Sequence, residues 1–183
     1  MQTEVSLVQL AKQRDEAAFA KLYETYFDKI YRYVALKIGD RMEAEDITQQ
    51  VFLNALKSIS SYQIKETPFS AWLFRIAHNQ IVDCLRKRSK RMSIPLEDAP
   101  PQTGGEDPEE ITADKIDIEQ LNEATKKLTD LQREVISLRF ASELSIQEVA
   151  RIMGKSEGAV KALQHSAVLA LRRTLVVTQN GNL

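Results

Sequence analysis

Residues 144–175, LSIQEVARIMGKSEGAVKALQHSAVLALRRTL, constrain the fold of this chain more than any other stretch. Ser145 and Glu148 have the S-x-x-E spacing of a capping box, which satisfies backbone N–H groups at the start of a helix. Gly154 can end that helix, because glycine adopts a left-handed conformation at little cost. Ser156 can then cap a second helix. The stretch therefore predicts two helices joined by a tight turn.

The second of these helices has two distinct faces. Its apolar stripe predicts one buried side and consists of Val160, Leu163, Ala167, Leu171 and Leu175. Its polar face consists of Lys161, Gln164, His165, Arg172 and Arg173. A short helix, a glycine turn and a longer basic helix form the helix-turn-helix arrangement, whose second helix enters the major groove of DNA. An ordinary helical hairpin in an all-α core is the alternative.

The distribution of charge says more about partners than its sum, which is −1. In residues 86–91, RKRSKR, five of six are basic, a density suited to neutralising phosphates. Residues 97–123 instead hold ten acidic residues and one basic residue. The single cysteine, Cys84, excludes an intramolecular disulfide. With no secretory leader pattern and no apolar run of about 20 residues, we expect a cytoplasmic protein that is not inserted in a membrane.

Helical periodicity continues through the N-terminal half. We predict helices over residues 5–13, 16–38 and 43–59, with Asp15 capping the second and Gly39 ending it. Thr67 and Pro68 predict the start of a fourth helix, over residues 69–91, that ends in the basic cluster. The fold expected is therefore all-α, with no repeat.

A change of composition divides the chain. Residues 92–115 hold four of the five prolines and two adjacent glycines, which predicts a flexible acidic linker. The prediction is thus two small helical domains, residues 1–91 and 116–177, with a frayed tail over 178–183. In the second domain we expect helices over 116–127 and 133–141, the latter after a capping box at Thr129 and Gln132.

Taken together, these stretches resemble an extracytoplasmic-function (ECF) sigma factor of bacterial RNA polymerase. AFAKLYETYFDKIYRYV is similar to the start of sigma region 2, and EAEDITQQVFLNAL to the helix of region 2.2. FSAWLFRIAHNQIVDCLRKR resembles regions 2.3–2.4, and residues 128–173 resemble region 4, which contains the helix-turn-helix. The resemblance covers nearly the whole chain, and the linker stands where larger sigma factors have a region 3 domain.

The resemblance implies a role for particular residues. The positions that bind core polymerase are Asp46, Gln49, Gln50 and Asn54. The positions that recognise the −10 element are Tyr62, Lys65, Arg75, Asn79, Asp83, Arg86 and Arg88. The positions that recognise the −35 element are Ser156, Glu157, Lys161, Ala162, His165 and Arg172. The sequence departs from the family pattern at Gln50, where an acid is usual, and at Ala162 and Ser166, where many relatives have arginine.

The implied function is that of an alternative sigma factor, which directs core polymerase to specific promoters and stabilises strand opening. The implied partners are the β and β′ subunits of core RNA polymerase, promoter DNA and an anti-sigma factor. We expect no cofactor, no metal and no catalytic residue. The acids Glu43, Glu45 and Asp46 are explained by the favourable potential at a helix N-terminus.

Two other functions remain open from the sequence. A stand-alone DNA-binding regulator would pair the helix-turn-helix with an N-terminal sensing or dimerisation domain, and would bind duplex DNA tightly without polymerase. A nuclease would need converging carboxylates or histidines, and no H-x-x-x-H, D-x-D or phosphate-binding loop is present.

Overall fold

The computed structural model describes residues 3–92 and 125–180, with side chains to residue 173. Every regular element in these two ranges is helical, which confirms the all-α prediction. The first range contains α1 (Glu4–Lys12), α2 (Glu16–Ile38), α3 (Arg41–Ser58), a 3₁₀ turn (Ile59–Ser61) and α4 (Phe69–Met92). The second contains α5 (Asp130–Ile136), α6 (Ile146–Met153) and α7 (Glu157–Asn180). Within these ranges no helix is long and apolar enough to cross a membrane.

The ends of α2 agree with the sequence prediction. The Asp15 carboxylate accepts a hydrogen bond from the backbone N–H of Ala18 at 2.9 Å, which caps the helix. Gly39 takes the left-handed conformation at φ 78° and donates its N–H to the Ala35 carbonyl. Both devices act within four residues, so local sequence is enough to fix them.

Two other helices of the N-terminal half, α1 and α3, begin one or two residues before their predicted starts. α1 begins and ends one residue early, with Thr3 as its cap. α3 begins at Arg41 rather than residue 43, because the Asp40 side chain accepts the N–H of Glu43 and caps the helix two residues upstream. In α4 the first helical bond runs from Trp72 N–H to the Pro68 carbonyl, so the helix begins at Phe69 as predicted, and it ends at Met92, one residue beyond the predicted end.

The C-terminal half contains the predicted helix-turn-helix. Both capping boxes, at Thr129 with Gln132 and at Ser145 with Glu148, are formed in both directions. Gly154 ends α6 at φ 62°. α7 continues to Asn180, three residues beyond the end predicted for the domain. Most of the predicted helix 116–127 lies outside the described residues, as does the linker apart from Met92.

The helix predicted over 133–141 begins three residues earlier, at Asp130, and is not a regular α-helix throughout. Its last turn widens to a π-type segment, Ser137–Ala141, closed by the Ser142 N–H donating to the Ser137 carbonyl at 3.1 Å. A wider turn shifts the side chains that follow it around the helix axis. No residue in Ser137–Ala141 is typical of a π-type turn, so apolar periodicity alone did not predict the wider turn.

One apolar cluster runs through both halves of the described chain. It contains Ile30, Tyr33 and Phe74 from the N-terminal half together with Leu138 and Val149 from the C-terminal half, all nearly inaccessible to solvent. The π-type segment packs on α2, and α6 packs on α4. The two predicted helical units are therefore in direct contact.

Candidate nucleic-acid and protein interfaces

The second helix of the helix-turn-helix presents a basic face to solvent. The Ser156 hydroxyl accepts the N–H of Ala159 at 3.1 Å and begins α7. At about 100° per residue, Lys161, His165 and Arg172 fall within roughly 40° of one another on this helix. All six residues predicted to recognise the −35 element are exposed. On the opposite side, Val160 and Ala167 are fully buried, as the apolar stripe predicted.

Two polar residues of α7 are occupied within the protein. Gln164 accepts a hydrogen bond from Arg139 Nε at 3.0 Å, and Arg139 also binds the Leu144 carbonyl. Ser166 accepts a bond from Gln132 Nε2 at 3.1 Å and so links α7 to the capping box of α5. Gln164, assigned to the polar face from the sequence, thus positions the helix rather than presenting a free amide.

A second polar stripe lies along α4. Arg75, Asn79, Asp83 and Arg86 are all exposed, and helical geometry places them within about 80° of one another. Asp83 and Arg86 form an ion pair at 3.1 Å. The amide and the carboxylate can hydrogen-bond base edges, while the guanidinium groups on either side of them neutralise phosphates. Lys65, in the loop before α4, is also exposed.

Tyr62 and Arg88, both predicted to recognise the −10 element, serve the fold here. The Tyr62 ring is 4% exposed and packs on Trp72 and Phe69, while its hydroxyl donates to the Thr67 carbonyl. The ring therefore shapes the loop before α4 and does not face solvent.

Arg88 joins two helices. Its guanidinium pairs with Glu43 of α3 and donates to the Ile38 carbonyl at 3.3 Å. A hydrogen bond from the Cys84 thiol, together with Arg88, lowers the pKa of Glu43 below its ordinary value. Arg88 thus ties α4 to α3 and is only partly available to DNA.

The exposed face of α3 combines amides with large apolar side chains. Asp46, Gln49 and Gln50 are exposed, and Gln50 donates to Asn54 at 3.0 Å. Leu53 and Leu56, each 50% exposed, lie among them. Exposed leucines beside directional polar groups are typical of protein-binding surfaces. Neither leucine was predicted to belong to this face, because the helical stripe assigned to it contained polar residues alone.

A buried polar cluster joins the two halves of the molecule. Glu134 of α5 forms an ion pair with Lys37 of α2, and its other oxygen accepts the Tyr33 hydroxyl at 2.5 Å. His78 of α4 lies 3.3 Å from that same oxygen. Burial alone would raise the pKa of Glu134, but the His78 hydrogen bond and the Lys37 charge lower it to about 2. No motif or spacing in the sequence predicts this cluster, because its members are far apart along the chain.

Among the residues described, no group of three or more histidine, cysteine or acidic side chains is arranged to hold a metal ion. The acids at the start of α3 are engaged otherwise: Glu43 pairs with Arg88, and Glu45 with Arg41 at 3.1 Å.

Two family patterns match the chain in order. Residues 22–91 match sigma-70 region 2, and residues 124–173 match sigma-70 region 4. The helix-turn-helix and the polar stripe of α4 fall inside these matches. The order of the two regions defines a sigma-70-type transcription initiation factor.

Comparison with relatives identifies the group of sigma factors to which the chain belongs. It is 36% identical over 172 residues to the ECF RNA polymerase sigma factor BldN of Streptomyces coelicolor, covering 93% of this chain and 65% of that protein. It is 33% identical over 177 residues to the ECF sigma factor SigW of Bacillus subtilis, covering 92% of this chain and 94% of that one. The chain therefore belongs to the ECF sigma factors, which direct RNA polymerase to specific promoters.

Solved structures show the same fold. CnrH, in its complex with the cytosolic domain of CnrY, matches with a TM-score of 0.73 at 23% identity, over 93% of this chain and 96% of that one. RpoE of Bartonella quintana, in complex with the anti-sigma factor NepR, matches with a TM-score of 0.66 at 24% identity, over 87% and 97% of the two chains.

Proposed function

We propose that three exposed faces divide the work of this sigma factor: α3 binds core polymerase, α4 recognises the −10 element and α7 recognises the −35 element. The proposal is supported by one observation: each face lies on a different helix and presents side chains suited to a different partner. The face of α3 presents amides and leucines. The face of α4 presents an amide and a carboxylate between two arginines, and the face of α7 presents a row of basic side chains.

The face of α3 is suited to a protein surface. Leu53 and Leu56 would lose water on docking, and Gln49 and Asp46 would supply directional contacts to the β′ subunit. Gln50, where the family pattern usually has an acid, is already bonded to Asn54, so we assign it to orienting Asn54 rather than to a charged contact.

The face of α4 is suited to bases that have left the duplex. An unpaired base exposes the edges that Asn79 and Asp83 can hydrogen-bond, and capture of such a base stabilises open strands. Arg75 and Arg86 would supply phosphate contacts, with Lys65 on the preceding loop. Tyr62 contributes by holding that loop against Trp72.

The face of α7 is suited to the major groove of a duplex. Lys161 and His165 lie one turn apart, where base edges are within reach, and Arg172 follows toward the backbone. Ser156 and Glu157 begin the helix. With Ala162 small and Ser166 held by Gln132, the face carries less positive charge than the family pattern implies, so we expect weaker phosphate binding.

The remaining assignments follow from this division. We assign residues 1–91 to polymerase binding and −10 recognition, 92–115 to a linker, 116–177 to −35 recognition and 178–183 to a tail. The chain makes no covalent bond and acts by binding alone. It works in the cytoplasm, where polymerase and promoters are found. An anti-sigma factor is a proposed partner, since solved relatives are bound to such proteins or to a cytosolic domain.

Competition for core polymerase tests the α3 assignment. Asp46→Ala combined with Gln49→Ala should weaken core binding about tenfold, measured against a second labelled sigma factor, with unchanged thermal unfolding. Val5→Ser is a control for changes at the surface, since Val5 is 51% exposed and belongs to α1 rather than to α3. Wild-type affinity in the double variant would contradict the assignment.

A further inference from the structure

The cluster around Glu134 spans three helices from both halves of the molecule. Its carboxylate comes from α5, Tyr33 and Lys37 come from α2, and His78 comes from α4. The Glu134 side chain is 8% exposed and that of Lys37 is 13% exposed, so the pair is nearly removed from water. No other ion pair among the described residues is as deeply buried.

Further contacts cross the same boundary. The Ser70 hydroxyl, at the start of α4, donates to the Glu148 carboxylate of α6 at 2.5 Å. The Ser142 hydroxyl donates to the Lys29 carbonyl at 3.2 Å. Around these bonds, Leu138 and Val149 share one apolar cluster with residues of α2 and α4. The two halves are therefore joined by an interface that combines apolar contacts, hydrogen bonds and one nearly buried ion pair.

This closed arrangement is incompatible with reading both promoter elements at once. The elements are about 25 base pairs apart, which is roughly 85 Å at 3.4 Å per base pair. A compact body of this size has a radius of gyration of only roughly 15 Å. Because α6 is packed on α4, the faces of α4 and α7 cannot be separated by that distance until this interface opens.

We propose that Glu134, Lys37, Tyr33 and His78 form a latch that holds the free sigma factor closed and must open before the chain engages a promoter. A buried ion pair is well suited to this role. While both partners are present, each compensates the charge of the other; removal of one leaves an uncompensated charge in the interface. Once the halves separate, water solvates both groups, so the open state carries no such penalty. The role of the latch in promoter engagement rests on the proposed function. The test of the latch does not, because it measures only whether the free protein is closed.

The test measures a distance in the free protein, without polymerase or DNA. Spin labels are placed at Glu24→Cys on α2 and Lys127→Cys before α5, both exposed, in a Cys84→Ser background. Pulsed dipolar spectroscopy should give one short, narrow distance distribution for the otherwise wild-type chain. Glu134→Gln should shift the closed-to-open ratio by roughly 100-fold toward longer, broader distances.

Two matched variants separate a latch from a general weakening of the interface. Glu143→Gln removes a charge from the same boundary, but Glu143 pairs with Arg32 at 3.9 Å in an exposed position, so the short distance should persist. Lys37→Met combined with Glu134→Met replaces the pair by apolar groups and leaves Tyr33 bonded to His78, whose atoms are 3.2 Å apart. This double variant should also stay closed.

Each contrary result overturns the latch. A broad, long distribution in the labelled wild type would mean that the free protein does not rest closed. A short distance in Glu134→Gln would mean that the cluster does not hold it closed. Loss of helical circular dichroism in Glu134→Gln would mean that the cluster maintains the fold itself. None of these results bears on whether the chain directs transcription, which is measured separately.

Discussion

At the scale of single residues, Glu134 couples stability to pH. Its pKa is about 2 in the folded chain against an ordinary value of 4.5, so folding favours the ionised form. The stabilisation is complete above about pH 4.5 and is lost as the pH falls from there toward 2. The shift from 4.5 to about 2 corresponds to about 3 kcal/mol of free energy of unfolding. The difference measured against a Glu134→Gln variant will be smaller by the free energy of any hydrogen bonds that the glutamine forms in its place.

Urea unfolding of the wild type and Glu134→Gln across pH 2.5 to 7 checks this coupling. We expect the wild type to be the more stable at pH 7 and its advantage to shrink through the acidic range, because protonated Glu134 resembles glutamine. Other carboxylates titrate in both proteins and cancel in the difference. Two unfolding curves that stay parallel over the whole range would contradict the assigned cause.

Single residues also show where sequence reasoning stops. Asn79, Asp83, Lys161 and His165 are exposed on the faces to which periodicity and the family resemblance assigned them. Arg88 was assigned to DNA by the same reasoning, yet it pairs with Glu43, 45 positions away. Helical spacing predicts which way a side chain faces, but it contains no information on bonds between distant helices.

At the scale of elements, the glycine that ends α6 is required by its backbone conformation. Gly154 has φ 62°, a region that side chains with a Cβ rarely adopt. We predict that Gly154→Ala destabilises the chain by about 1 kcal/mol, read from its thermal unfolding. Gly158, within α7, also has open space around it and an ordinary φ, so Gly158→Ala should be neutral or stabilising. Equal effects of the two substitutions would contradict this account of the turn.

The recognition helix supports a second prediction at this scale. Lys161→Ala should weaken binding of the polymerase complex to DNA carrying a −35 element by about tenfold and lower the salt dependence. Lys127→Ala removes an identical charge outside α7 and should have little effect. If the affinity for promoter DNA is unchanged both by Lys161→Ala and by changes in the −35 sequence, then another face of the protein recognises the DNA.

Elements are the scale at which the sequence was most informative. The caps at Asp15, Thr129, Ser145 and Ser156 act over three residues, and all were predicted. The π-type turn of Ser137–Ala141, which packs against α2, was not predicted, since no local signal in its own residues indicates it. Likewise, the start of α3 was misplaced because its cap, Asp40, lies three residues before the predicted start.

At the scale of the whole molecule, the sequence predicted two helical units but not their union. Both units have the apolar stripes that periodicity implies, and those stripes merge into one cluster through Tyr33, Phe74 and Leu138. The apolar periodicity of a helix shows that one side is buried, but it does not show which helices bury that side. An apolar stripe that packs only within its own helical unit therefore looks the same in sequence as one that also packs against the other unit. The closed arrangement is therefore a property that only the structure supplies, and the latch proposal depends on it.

Run-off transcription with purified core polymerase tests the central claim most directly. The template is a library of genomic fragments, transcribed with and without this protein. We predict new discrete start sites, each preceded by two spaced sequence elements shared among the templates. No core binding and no new transcripts, together with sequence-specific binding of duplex DNA by the protein alone, would contradict the claim and indicate a stand-alone regulator.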